Sequence, residues 1–96
     1  MIEPNNKKVL VIIPAYNEEN NIERTINNIK DACPWADCIV INDCSNDSTV
    51  RKLCDMQVDY INLPVNLGIG GAVQAGYQYG VDHDYDITVQ VDGDGQ

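Results

Sequence analysis

The sequence predicts an α/β fold with a doubly wound, mostly parallel β-sheet, and three observations support this fold class. Segments typical of strands alternate with segments typical of helices, which favours βαβ units with right-handed crossovers. The leading strand segments are continuous apolar runs, as in strands that are covered on both faces. A polar or glycine-rich stretch follows each strand segment, where parallel sheets bind their ligands. The usual doubly wound arrangement gives the strand order 3-2-1-4.

The first unit begins with the segment Lys8–Ile13, which reads KVLVII and ends before Pro14. Asn17 is a candidate N-cap for the helix that follows, and the acidic residues after it suit the positive end of the helix dipole. One face of that helix is apolar because isoleucines recur at the spacing of helical turns, at Ile22, Ile26 and Ile29. The second strand is Cys38–Asn42, and the stretch DCSNDST after it has turn and capping chemistry.

The remaining elements complete the alternation of helices and strands. Val50, Leu53 and Cys54 mark a short second helix. The next predicted elements are a third strand over Val58–Leu63, a helix over about Gly70–Tyr79 and a fourth strand over Asp86–Val91. The four strands therefore fit within one small domain.

Length and charge restrict the class of protein. The 96 residues make one small domain, and the formal net charge of −9 at pH 7 disfavours nucleic acid as a partner. A small phosphorylated ligand that arrives with a divalent cation stays compatible with this charge. The chain shows neither a signal peptide nor the roughly 20 consecutive apolar residues of a membrane helix. We therefore expect a cytoplasmic location.

The glycine-rich stretch NLGIGG does not fit the dinucleotide-binding fingerprint. That fingerprint needs a glycine where this chain has Val73, and it should follow the first strand, where this chain has PAYNEEN. Two interpretations of Gly68, Gly70 and Gly71 remain. They serve either a turn with close helix packing or a close approach of the main chain to a ligand.

Two acidic residues that follow predicted strands are ambiguous when each is taken alone. Glu18 is either a first-turn residue that favours the helix dipole or a ligand contact. Asp43 either caps the turn that begins the second helix or accepts a hydrogen bond from a nucleobase N–H. The residues themselves leave both pairs of alternatives open.

The closing stretch VDGDGQ predicts a divalent-metal site. Asp92 and Asp94 are two residues apart, so in an extended segment their carboxylates project to the same side. Paired carboxylates with substrate phosphates suit Mg²⁺ or Mn²⁺, and the intervening Gly93 lets the main chain approach a ligand. A polar hairpin turn and an EF-hand loop are the alternatives, although an EF-hand should begin after a helix.

Together, four stretches resemble the ordered signatures of family 2 glycosyltransferases with the GT-A fold. They are VIIPAYNEENNIERTI, VINDCSNDST, NLGIGGAVQAGYQYG and VQVDGDGQ. The branch that they resemble most is the polyprenyl-phosphate sugar transferases, and the resemblance extends from about Lys8 to Gln96. It implies a Rossmann-like nucleotide-binding half and identifies the closing stretch with the DxD motif of that family.

The resemblance also implies roles for individual residues. The implied nucleotide contacts are Pro14, Ala15, Tyr16 and Glu18 after strand one, Ile41 and Asp43 at the tip of strand two, and Asp92, Gly93 and Asp94 after strand four. The implied ligands of Mg²⁺ or Mn²⁺ are Asp92, Asp94 and Gln96. The family usually has two consecutive acidic residues at the tip of strand two, and this chain departs from it because the first of them is Asn42.

The implied activity is a metal-dependent, inverting transfer of a sugar from a UDP- or GDP-linked donor to an acceptor such as polyprenyl phosphate. Residues 1–96 would form the donor-binding half in an N-terminal fragment, with no catalytic residue of its own and membrane contact only through parts that follow it. A non-catalytic nucleotide-binding module and a sugar nucleotidyltransferase are the alternatives. An uncovered fourth strand would make this fragment a homo-oligomer.

Overall fold

The computed structural model describes residues 7–92, which form a four-stranded parallel sheet flanked by helices. The elements are β1 (Val9–Ala15), α1 (Ile22–Ala32), β2 (Asp37–Asn42), α2 (Thr49–Met56), β3 (Tyr60–Asn62), α3 (Gly68–Asp82) and β4 (Ile87–Gln90). Neighbouring strands pair in parallel in the order β3-β2-β1-β4. The predicted fold class and strand order are therefore confirmed.

The central strand β1 is buried along its whole length. Successive side chains of a strand point to opposite faces of the sheet, so β1 contributes to two separate cores. Val11 and Ile13 pack in the core that α1 and α2 cover, whereas Leu10 and Ile12 pack in the core that α3 covers. This burial on both faces explains why Val9–Ile13 is apolar without alternation.

The helix α3 approaches the sheet closely because glycines face it. A Cβ atom at Gly76 would lie 2.3 Å from Cγ2 of Ile12, and a Cβ atom at Gly80 would lie 2.9 Å from Cγ2 of Thr88. A side chain at either position would push the helix away from the sheet. With 15 residues α3 extends beyond both predicted ends, and no helix within residues 7–92 is long and apolar enough to cross a membrane.

The first helix begins later than the sequence predicts. Since α1 begins at Ile22, Asn17 is not its N-cap, and Glu18 and Glu19 do not lie in its first turn. Asn17 instead has a φ of 52°, in the left-handed region that asparagine tolerates better than most residues. The residues between β1 and α1 therefore form a loop with its own conformation.

Candidate functional site

A cavity of about 190 Å³ lies at the carboxyl ends of β1, β2 and β4. The register pairs Ala15 with Asn42, so β1 and β2 end together, and Asp92 follows β4 at the same edge of the sheet. The lining residues are Pro14, Ala15, Tyr16, Glu18, Asp43, Ile69, Ala72 and Asp92. The structure thus brings together six of the nucleotide contacts that the family resemblance implies.

The end of β1 and the loop after it form one wall of the cavity. The carbonyl of Ala15 accepts a hydrogen bond from the main-chain N–H of Asp43 at 2.8 Å, which extends the pairing of β1 and β2 to the cavity. Tyr16 lies at the rim with 47% of its surface exposed. Glu18 lines the cavity from the loop, outside α1, so the interpretation of Glu18 as a first-turn residue is wrong.

Asp43 joins the tip of β2 to the start of α3. Its carboxylate accepts hydrogen bonds from the N–H of Leu67 at 2.7 Å and from the N–H of Gly68 at 2.8 Å, one on each oxygen. The side chain is only 4% exposed, and Gly68 has a φ of +77° that suits glycine. Each carboxylate oxygen keeps a further lone pair, so a nucleobase contact by Asp43 stays a prediction.

The two residues before Asp43 lie away from the cavity lining. Ile41 is completely buried in the core that α3 covers, so its side chain does not reach the cavity. Asn42 is 3% exposed; its amide donates to Oδ1 of Asn62 at 2.9 Å and accepts from the N–H of Ser45 at 3.3 Å. The Asn42 side chain, which stands where the family usually has an acidic residue, therefore both donates and accepts a hydrogen bond.

The predicted metal ligands are only partly within the described residues. Asp92 is exposed and lines the cavity, and the side-chain amide of Gln90 lies 3.5 Å from its Oδ1. Gly93, Asp94 and Gln96 lie outside the described residues. Among residues 7–92, no three His, Cys, Asp or Glu side chains form a metal-ligating group.

The charge of the cavity lining is nevertheless suited to a cation. Glu18, Asp43 and Asp92 all line it, whereas none of the described lining residues is a lysine or arginine. A nucleoside diphosphate alone would therefore meet carboxylates of its own sign. Hard oxygen ligands such as these bind Mg²⁺ or Mn²⁺, which also binds phosphate oxygens. The charge of the lining and its oxygen donors are therefore of the kind that a divalent cation prefers, with Asp92 as the described residue that would hold it.

The first turn of α3 contributes two lining residues that the sequence analysis did not identify. Ile69 and Ala72 line the cavity from the stretch NLGIGG and the helix after it. Ile69 is 60% exposed, and a large apolar residue between two glycines of the stretch NLGIGG is the signal by which the sequence could have identified it. Ile69 and Ala72 add apolar surface to a cavity that three carboxylates also line.

Comparison with protein families gives one match that extends over most of the chain. Residues 10–96 match the model of the family described as glycosyl transferase family 2. This match includes all the residues that line the cavity.

Two curated relatives resemble this chain over almost its whole length. The undecaprenyl-phosphate mannosyltransferase of Micrococcus luteus is 37% identical over 93 residues, which cover 92% of this chain and 38% of the relative. The polyprenol monophosphomannose synthase of Mycolicibacterium smegmatis is 30% identical over 95 residues, which cover 93% of this chain and 36% of the relative. The chain therefore spans well under half the length of both relatives.

Two solved structures share the arrangement of elements. A mannosyltransferase from Pyrobaculum calidifontis, solved with GDP-Man and Mn²⁺, has a TM-score of 0.76 at 23% identity, and the match covers 92% of this chain and 28% of that one. Glucosyl-3-phosphoglycerate synthase from Mycobacterium tuberculosis, solved with Mn²⁺, UDP and glucosyl-3-phosphoglycerate, has a TM-score of 0.74 at 25% identity. That match covers 92% of this chain and 34% of the synthase.

Proposed function

This chain belongs to glycosyl transferase family 2, and from that premise we propose that it is the donor-binding part of a sugar transferase. The donor is a sugar linked to UDP or GDP, and the acceptor is a polyprenyl phosphate. The observation that carries the proposal is the cavity at the carboxyl ends of the strands, which is lined by three carboxylates and by apolar side chains.

The nucleoside occupies the part of the cavity between β1 and α3. Pro14, Ala15, Tyr16 and Glu18 contact it from the loop after β1, in keeping with the family resemblance. Asp43 accepts a hydrogen bond from the base through a lone pair that Leu67 and Gly68 leave unused. Ile41 supports this site from the core rather than by contact.

The diphosphate lies near Asp92, where a divalent cation offsets the repulsion between the phosphates and the carboxylates. Asp92 would hold Mg²⁺ or Mn²⁺ together with Asp94 and Gln96, and Gly93 would let the main chain approach the ligand. The cation would neutralise the charge that develops on the departing nucleoside diphosphate. The Mycobacterium tuberculosis synthase, solved with both Mn²⁺ and UDP, supports this part of the proposal.

The acceptor attacks the anomeric carbon from the face opposite the nucleotide, so the configuration is inverted. In this proposal the residues of this chain bind and orient the donor. Polyprenyl phosphate is proposed as acceptor because the Micrococcus luteus relative is named for undecaprenyl phosphate and the Mycolicibacterium smegmatis relative for polyprenol.

The proposal is tested by calorimetry with a panel of nucleoside diphosphates and their sugars in the presence of Mn²⁺. We expect a uridine or guanosine compound to bind and the adenosine and cytidine compounds to bind at least about tenfold more weakly, a difference of about 1.4 kcal/mol. Transfer is measured with labelled donor and undecaprenyl phosphate, using this chain with whatever its reading frame encodes beyond Gln96. Absence of binding by every compound would contradict the proposal.

A further inference from the structure

The loops that follow β1 and β2 are joined by hydrogen bonds between side chains and main-chain N–H groups. We call the contact between residues 17–19 and residues 45–49 the loop clasp. We infer that the loop clasp holds the loop after β1 as a preorganised wall of the nucleoside site, with Asp47 and Thr49 as positioning residues for Glu18. This inference rests on the proposed function, since it assigns the wall to nucleoside binding.

The outer part of the loop clasp is reciprocal. The N–H of Asn17 donates to Oγ of Ser45 at 2.9 Å, and Oδ1 of Asn17 accepts from the N–H of Asn46 at 2.9 Å. Each loop thus satisfies a main-chain N–H group of the other. These two hydrogen bonds also hold Asn17 in its left-handed conformation.

The inner part of the loop clasp repeats this exchange at the start of α2. The N–H of Glu19 donates to Oδ2 of Asp47 at 3.3 Å, and Oε2 of Glu19 accepts from the N–H of Ser48 at 3.3 Å. The side chains of the stretch DCSNDST therefore do more than cap their own helix. They hold the main chain of the neighbouring loop.

The centre of the loop clasp is a directional relay from Asp47 through Thr49 to Glu18. The Thr49 hydroxyl donates its hydrogen to Oδ1 of Asp47, which leaves its oxygen to accept from the N–H of Glu18 at 3.0 Å. Thr49 is completely buried, so water does not compete for this oxygen. Partial burial alone would raise the pKa of Asp47, but its hydrogen bonds with Thr49 and the N–H of Glu19 hold that pKa below its ordinary value.

The relay fixes the residue that faces the ligand. Glu18 lines the cavity, while its main-chain N–H is bonded to a buried residue of α2. A wall that is ordered before the ligand arrives saves the cost of ordering it during binding. Loss of the relay is therefore expected to weaken nucleoside binding even when the domain stays folded.

The test compares Thr49→Val with Thr49→Ser. The valine side chain has a similar shape but neither donates to Asp47 nor accepts from Glu18, whereas serine keeps the hydroxyl; the main-chain N–H of residue 49 donates to Asp47 in both variants. We expect Thr49→Val to weaken the binding of UDP or GDP with Mn²⁺ by about tenfold, the size of the one neutral hydrogen bond that the Glu18 N–H loses. Thr49→Ser is expected to restore the affinity to within about twofold of the wild type.

Val58→Ala is the control for stability. Val58 is a core residue two positions before β3, so its truncation lowers the melting temperature without removing a hydrogen bond of the loop clasp. The inference predicts unchanged affinity in this control. An equal loss of affinity in Val58→Ala and Thr49→Val would overturn it, as would wild-type affinity in Thr49→Val. Should Thr49→Val not fold, Ser45→Ala removes only the Asn17 contact and is expected to weaken binding by about threefold.

Amide hydrogen exchange separates this inference from the proposed function, because it needs no ligand. The Glu18 amide is expected to be protected in the wild type and in Thr49→Ser and to exchange at least about tenfold faster in Thr49→Val. If the Glu18 amide exchanges fast in a wild type that binds nucleotide, the inference on the loop clasp is overturned and the proposed function is not. A protected amide in a wild type that binds no nucleotide overturns the proposed function, and with it the positioning role.

Discussion

Replacing Asp43 with alanine removes the contact that holds the start of α3 against β2. The carboxylate accepts from two main-chain N–H groups at 2.7 and 2.8 Å and is 4% exposed. A hydrogen bond to a charged group contributes about 1.5–3 kcal/mol. In the variant the N–H of Gly68 keeps a second acceptor, Oδ1 of Asn66 at 3.0 Å. The loss of stability should therefore lie near the lower end of the range for two such hydrogen bonds. We expect Asp43→Ala to lower the free energy of unfolding by about 3 kcal/mol.

This loss is large enough to measure by thermal and urea unfolding. In a domain of this size about 3 kcal/mol corresponds to a melting temperature lower by roughly 12–24 °C. Asp82→Ala is the matched control, because it removes the same charge from an exposed carboxylate that accepts only from the side chain of Gln78 in the described structure. The control is expected to stay within about 0.5 kcal/mol of the wild type.

The same variant reports on the nucleobase contact. At a temperature where Asp43→Ala is folded, its nucleotide affinity is expected to fall by about one to two decades if the base also bonds to Asp43. Equal stability of Asp43→Ala and Asp82→Ala would refute the role of this carboxylate in holding α3. A stability loss without any change in affinity would leave Asp43 a structural residue only.

Three further predictions concern the packing, the titration and the association of the chain. Gly76→Ala should destabilise by about 1–2 kcal/mol in urea unfolding because its Cβ would lie 2.3 Å from an isoleucine carbon of β1, whereas Gly70→Ala, with nothing within 4 Å, should not destabilise. Burial and the hydrogen bond to Asp37 raise the pKa of Tyr85 far above its ordinary value, so the stability it contributes is present below about pH 10 and is lost as pH rises through the folded pKa. Tyr85 is therefore expected to stay protonated between about pH 9 and 11, where ordinary tyrosines ionise. Its replacement in Tyr85→Phe should leave the ultraviolet absorbance change over this pH range unchanged, and a smaller absorbance change in the variant would contradict the raised pKa of Tyr85. The strand β4 is an exposed edge of the sheet, and its Val89 is 44% exposed, so light scattering should show that the chain associates through this edge. Val89→Lys should make the chain monomeric. A wild-type chain that is monomeric at high concentration would contradict this prediction.

The fold was predictable because its main signals are local. The run Val9–Ile13 is apolar at every position because both faces of β1 are buried, whereas a strand with one face in water typically alternates apolar and polar residues. The place of the cavity followed from the topology, since polar stretches after parallel strands meet at one edge of the sheet. The strand order followed from the usual doubly wound arrangement and is confirmed.

The parts of the site that the sequence misplaced depend on contacts between distant residues. Asn17 was expected to cap α1, but its side-chain oxygen accepts from the N–H of Asn46, a residue 29 positions away. The carboxylate of Asp43 is likewise bonded to main-chain groups 24 and 25 positions away. Ile41 points to the same face of the sheet as Asp43, but it lies two residues earlier in the chain, within the core that α3 covers. Local capping and turn patterns contain no information on such partners.

The central claim is that the cavity binds a nucleoside diphosphate only together with a divalent cation that Asp92 helps to hold. The most direct measurement is calorimetry of UDP and GDP binding with Mn²⁺ and then with EDTA, on the wild type and on Asp92→Asn. We predict that EDTA weakens wild-type binding by at least about tenfold and that Asp92→Asn loses most of this dependence on Mn²⁺. Equal wild-type affinity in Mn²⁺ and in EDTA would contradict the claim.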